Sequence, residues 1–103
     1  MMKKIFSNRE KIGINKKDLK ILLNILEQYP CEFYAYGSRV KGYARRFSDL
    51  DLFYDSKASV DLIYEIKEEL DNSNISIKVS LLSRESMSNN FYDSIKKDLL
   101  RIR

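Results

Sequence analysis

Two carboxylates and a small-residue turn carry the chemistry open to this chain. Asp49 and Asp51 stand in Ser48-Asp49-Leu50-Asp51-Leu52, a short way after Tyr36-Gly37-Ser38-Arg39-Val40-Lys41-Gly42. The run from Asp49 to Tyr54 alternates acidic and apolar residues and ends on aromatics, the pattern of a half-buried strand. Strand side chains alternate faces, so Asp49 and Asp51 point one way while Leu50, Leu52 and Tyr54 point into a core. Two such carboxylates, about 7 Å apart along the strand, repel unless a cation sits between them. Mg²⁺ suits that place, because it favours hard oxygen ligands and often takes one or two carboxylates plus phosphate oxygens. A bare D-x-D is equally a solvated strand edge, and its company decides between the two. Gly37 allows a backbone geometry or a close approach that a Cβ would forbid. Ser38 reads as the N-cap of a short helix through Tyr43, its hydroxyl and nearby N–H groups toward an anion. Strand, Gly-Ser turn, short helix and D-x-D strand place a phosphate cradle beside a metal pair.

The elements that position these residues follow from periodicity. Met1–Ile14 is polar and basic and reads as loosely ordered. Lys16–Gln28, N-capped by Asn15, has Leu19, Leu22, Leu23 and Leu26 at helical spacing. Residues 32–36 form an aromatic-rich strand, 38–43 the short helix and 49–55 the D-x-D strand. Ser59 caps a second long helix to about Leu70 that buries Val60, Ile63, Ile66 and Leu70. After the turn cluster Asp71-Asn72-Ser73-Asn74, Ile75–Leu81 alternates as a third strand. In it Ile75, Ile77, Val79 and Leu81 face inward and Ser80 faces the site side. Ser88 caps a final helix with Phe91, Ile95 and Leu99 as its core stripe. The fold class is α+β, a small mixed sheet flanked by about four helices.

Composition bounds the rest. The 103 residues, 44% hydrophobic and 33% charged, leave room for one core, so residues 1–103 are read as a single domain. One Pro and three Gly mark no linker. No apolar run approaches a membrane span and the start lacks a signal-peptide core, which implies a cytoplasmic protein. Cys31 stands alone and reads as a small buried hydrophobe. Histidine is absent. That excludes Ser-His-Asp hydrolysis, histidine base catalysis and His-ligated metals, and a single cysteine excludes thiolate zinc sites. The net charge is +4 with a pI near 9.2. Arg39, Lys41, Arg45 and Arg46 crowd the motif, either as a solvated helix face or as partners for phosphate. Arg39, next to Ser38, is the nearest phosphate contact. The other basic residues are scattered, which argues against direct nucleic-acid binding. Tyr43 and Phe47 flank the motif as candidates for stacking on a base.

The motif pair resembles the minimal nucleotidyltransferase branch of the DNA polymerase β-like superfamily, whose pattern is an apolar strand, G-S-R-x-x-G, a linker and S-D-[IL]-D-[IL]. The likeness extends over nearly the whole chain. It implies the nucleotidyltransferase fold, triphosphate bound by Gly37 and Ser38, with Arg39 beside them, and Mg²⁺ on Asp49 and Asp51 as catalytic carboxylates. It also implies transfer of a nucleoside monophosphate, most simply AMP from ATP, to a hydroxyl of a partner protein. That partner would be a co-encoded helical HEPN-type toxin, with this chain as the antitoxin in a homo- or hetero-oligomer. One position departs from the pattern: Ser80 stands where the family places a third catalytic carboxylate. Glu85, Asp55 and Asp93 are the nearby substitutes. The departure opens an alternative, an impaired nucleotidyltransferase-fold subunit that binds nucleotide or neutralises its HEPN partner by contact.

Overall fold

The computed structural model describes residues 12–42, 49–55 and 60–103, the side chain of Val60 excepted. Expectations for Met1–Lys11, for Tyr43–Ser48 with Arg45, Arg46 and Phe47, and for the Ser59 cap lie outside the described residues.

Helix α1 (Lys16–Leu26) starts where expected, because the Asn15 side chain accepts from the Asp18 N–H and satisfies one of the orphan donors of the first turn. Strand β1 (Phe33–Tyr36) runs into Gly37 and the four-residue helix α2 (Ser38–Lys41), which Gly42 ends in a left-handed conformation. Strand β2 (Leu50–Tyr54), helix α3 (Val60–Asn72) and strand β3 (Val79–Ser83) follow. A 3-10 turn at Arg84–Ser86 leads to helix α4 (Asn89–Ile95), and a second 3-10 turn to strand β4 (Leu100–Arg101). The sheet order is β3-β2-β1-β4, with β2 and β3 parallel and the other pairs antiparallel. The described residues thus form the small mixed sheet flanked by helices that the sequence implies, with four α-helices among them. None of the described helices is long and apolar enough to cross a membrane.

The two faces of the sheet bury different material. Phe33, Ala35, Leu50, Leu52 and Leu81 point to one face and pack on Leu22, Ile25 and Leu26 of α1 and Ile63, Ile66 and Leu70 of α3. Cys31 is buried in the same cluster as a free thiol. Ile75, Ile77 and Val79 pack against it partly buried, so their inward direction holds. On the opposite face Tyr36, Phe53, Met87 and Ile95 form a second, smaller cluster with Tyr34, Tyr92 and Leu99 at its margin.

Three elements differ from the sequence reading. The third strand begins at Val79 rather than Ile75 and runs on to Ser83. Leu50 pairs with Val79, so β2 offers no ladder partner further back. Residues ahead of β3 bond elsewhere: the buried Asp18 carboxylate accepts from the Ser76 N–H at 2.9 Å and from its hydroxyl. The closing helix ends at Ile95, and Leu100 and Arg101 instead pair with Ala35 and Tyr34. A two-residue strand is too short to show a period. Phe91, expected in the core, is exposed and meets Tyr36 edge-on, ring centroids 5.8 Å apart. The sheet face already holds Phe53 and Ile95, which leaves Phe91 at the rim.

Candidate active site

Register places the chemistry. Tyr36 pairs with Asp51 across β1 and β2, and Asp51 pairs with Ser80 across β2 and β3. Registered neighbours share a face, so Tyr36, Asp51 and Ser80 form a row across three strands on the face away from the main core. Asp49, just before β2, joins that face: the Ser80 hydroxyl donates to Asp49 Oδ2 at 3.4 Å, a long contact. The two carboxylates therefore point the same way, as the alternation of the sequence requires. Ser80 sits beside Asp51 in the next strand.

The electrostatics of the row are those of crowded, partly dried acid. Burial, and after it the negative charge of Asp49, push the Asp51 carboxyl above the ordinary carboxylate range. Burial, and after it the charge of Asp51, likewise raise the Tyr36 hydroxyl. The place of Tyr36 in the row comes from strand register, which a lone sequence does not show. Among the described residues no group of three acidic, histidine or cysteine side chains converges. Of the possible substitutes, Asp55 and Glu85 are exposed, and exposed Asp93 pairs with Lys96 at 3.2 Å.

The turn comes close to Asp51. Gly37 has φ 86° and ψ −156°, a region essentially restricted to glycine. A Cβ built on it would lie 2.8 Å from Asp51 Oδ2. The absent side chain thus lets the backbone of the turn approach the acid. Gly37, not Ser38, occupies the N-cap position, and Ser38 is the first residue of α2. The reason is backbone geometry: the chain must reverse at a conformation serine would not tolerate. Gly37 O accepts from the N–H groups of Val40 and Lys41, both at 3.1 Å, which closes the helical turn.

Among the described residues, the two cations of the motif, Arg39 and Lys41, have separate occupations. Arg39 is buried, and its Nη1 donates to the carbonyl of Gly13 at 2.5 Å. Lys41 is exposed and pairs with Asp98 at 3.8 Å. Two carboxylates and a hydroxyl are hard oxygen donors of the type Mg²⁺ prefers, and the bare backbone of Gly37 beside them leaves space where a side chain would intrude. Asp49 and Asp51 could therefore hold a divalent cation, with phosphate oxygens supplying further ligands.

Comparison with known proteins identifies the family and the fold. Residues 20–101 match the family described as polymerase beta, nucleotidyltransferase. The chain is 34% identical over 90 residues to the Haemophilus influenzae (strain ATCC 51907 / DSM 11121 / KW20 / Rd) "Probable protein adenylyltransferase MntA", covering 84% of this chain and 79% of that protein. Its fold is similar to that of a solved chain described as "Crystal structure of the toxin-antitoxin with AMP-PNP", at a TM-score of 0.62 and 22% identity, covering 87% of this chain and 73% of that one.

Proposed function

The chain belongs to the polymerase beta nucleotidyltransferase family and is a nucleotidyltransferase, and on that premise we propose that it moves AMP from ATP to a hydroxyl of a partner protein in a Mg²⁺-dependent reaction. The observation that carries the reading is the approach of the Gly37 turn to Asp51 Oδ2, which sets a triphosphate-holding loop against a metal-binding acid. Gly37 and Ser38 hold the β- and γ-phosphates, with Arg39 serving the same turn. Asp49 and Asp51 hold Mg²⁺. When bound, the ion neutralises charge that develops on the transferring phosphoryl group and on the leaving pyrophosphate. The acceptor oxygen forms a bond to the α-phosphorus as the bond from that phosphorus to pyrophosphate breaks, and the acceptor proton is released. The chain's own part is to orient the two reactants, with Asp49, Asp51 and the turn on one side of the sheet.

The protein acceptor is supported by the printed name of the 34%-identical relative, a probable protein adenylyltransferase. The partner is a co-encoded HEPN-type toxin, and this chain is the cytoplasmic antitoxin that modifies it. A second reading has its own observation. Ser80, beside Asp51, contributes a neutral oxygen where a charged one would help hold metal, and this favours a subunit that neutralises the toxin by contact.

The test mixes the purified chain with labelled ATP, Mg²⁺ and the protein encoded beside it. Label on the neighbour that vanishes with Asp49→Asn or with chelator supports transfer. Toxin neutralised without any label, and label gained only with Ser80→Asp, would establish the second reading in its place.

A further inference from the structure

A short segment ahead of α1 is bonded to the phosphate-side turn in both directions. The Gly13 N–H donates to Arg39 O at 2.7 Å, and Arg39 Nη1 donates back to Gly13 O at 2.5 Å. Gly13 lies so near that a Cβ on it would stand 3.0 Å from Arg39 O, a backbone atom. The same segment is anchored at its other end, where Asp18 at the start of α1 receives both hydrogen bonds from Ser76, four residues ahead of Ser80. Ile12, directly ahead of Gly13, is buried in the main core. The buried guanidinium of Arg39 is therefore engaged by the lead-in segment.

We propose that Gly13 and Arg39 form a clamp that sets the position of the Gly37-Ser38 turn, so that Arg39 is a positioning residue for triphosphate rather than one of its ligands. The inference rests on the reading that this turn holds phosphate. Its physical basis is that α2 has only four residues and one closing turn of its own. A helix so short has little intrinsic stability and must be held by tertiary contacts. The reciprocal pair with Gly13 supplies such contacts at its second residue. A side chain at position 13 would press on the Arg39 carbonyl, which would have to give by a few tenths of an ångström.

Gly13→Ala, Gly13→Val, Arg39→Met and Arg39→Lys separate the clamp from direct phosphate contact. Affinity for AMP-PNP with Mg²⁺ is read by calorimetry, Mn²⁺ affinity without nucleotide by electron paramagnetic resonance, and exchange of the α2 amides by mass spectrometry. A displacement of the turn that weakens one hydrogen bond to phosphate should weaken triphosphate binding about tenfold. The expected pattern is graded loss from Gly13→Ala to Gly13→Val, with Arg39→Met equal to Gly13→Val and the double variant no worse than either. Arg39→Lys, which keeps one donor, should recover part of the loss. Mn²⁺ affinity should stay unchanged throughout, which also shows that the variants fold. The α2 amides should exchange faster in Gly13→Val with no nucleotide present. Wild-type affinity in Gly13→Val, or losses that add in the double variant, would overturn the clamp in favour of direct contact. If the wild-type chain binds no triphosphate, the phosphate reading fails by itself, and the amide exchange still decides the clamp: unchanged exchange in Gly13→Val rejects it.

Discussion

The two faces of the sheet differ in what they bury and in what covers them. One face is closed by α1 and α3 over Phe33, Leu50, Leu52 and other side chains with almost no exposure. The other carries Tyr36, Asp51 and Ser80 at one end and the aromatic cluster of Phe53, Tyr34 and Tyr92 beside it. Phe53 stacks on Tyr34 with centroids 5.0 Å apart and meets Tyr92 edge-on, a group that stiffens the strands bearing the acids. Successive residues of β2 serve opposite ends: Leu50 and Leu52 hold the fold together while Asp51, its carboxyl raised by burial and then by Asp49, strains it. A strand buried on one side can thus carry charge on the other without losing its place.

Substitutions on the two faces should break apart accordingly. The largest effect is expected from Asp51→Asn, which should lower transfer by about three powers of ten or more, the scale of several kcal/mol of metal-based stabilisation. The same change should raise the melting temperature of the metal-free protein at pH 7. The folded-state pKa of Asp51 is raised, by burial first and then by Asp49, so its ionised form opposes folding above that pKa, and a neutral amide removes the opposition. Thermal unfolding in chelator checks this, and a lowered melting temperature would contradict the assigned strain. On the covered face, Phe33→Ala should cost about 3–5 kcal/mol of stability, read from denaturant unfolding, as expected for a fully buried ring.

Between these lies Gly37→Ala, where both effects meet. Its backbone region costs a non-glycine residue about 1–3 kcal/mol. The added methyl also presses on Asp51 Oδ2, so activity should fall about a hundredfold, by analogy with other small misplacements of reacting groups. Activity retained in a stable Gly37→Ala protein would mean that the turn does not border the reaction. The smallest effect belongs to the covered face again. Tyr29 donates its hydroxyl to Glu69, joining the end of α1 to α3, and burial first, then that hydrogen bond, hold its ionisation above the usual tyrosine range. A raised pKa means that this contribution is complete below the unfolded tyrosine value of about 10 and disappears as pH climbs beyond it. Tyr29→Phe should therefore flatten the alkaline decline in stability, measured by unfolding between about pH 9 and pH 12.

Much of this organisation was readable from residue order, and the misses share a cause. The amphipathic spacing of Leu19, Leu22, Leu23 and Leu26, the alternation from Asp49 to Tyr54 and the capping serine at 88 are local patterns, and each formed its element. The late start of β3, the strand at Leu100–Arg101 and the exposure of Phe91 all depend on which neighbour was available. Arg39 shows the same limit, since nothing beside it in sequence announces a bond to Gly13.

Residue order by itself determined the fold class, the shared direction of Asp49 and Asp51, and the need for glycine ahead of α2. Those properties follow from side-chain period and backbone freedom, which act over a few residues. Only the tertiary structure decided that Tyr36, Asp51 and Ser80 line up, that Gly37 touches the acid, and that Gly13 holds Arg39. Those are contacts between segments far apart in the chain, created when burial of the main core brings the strands into register.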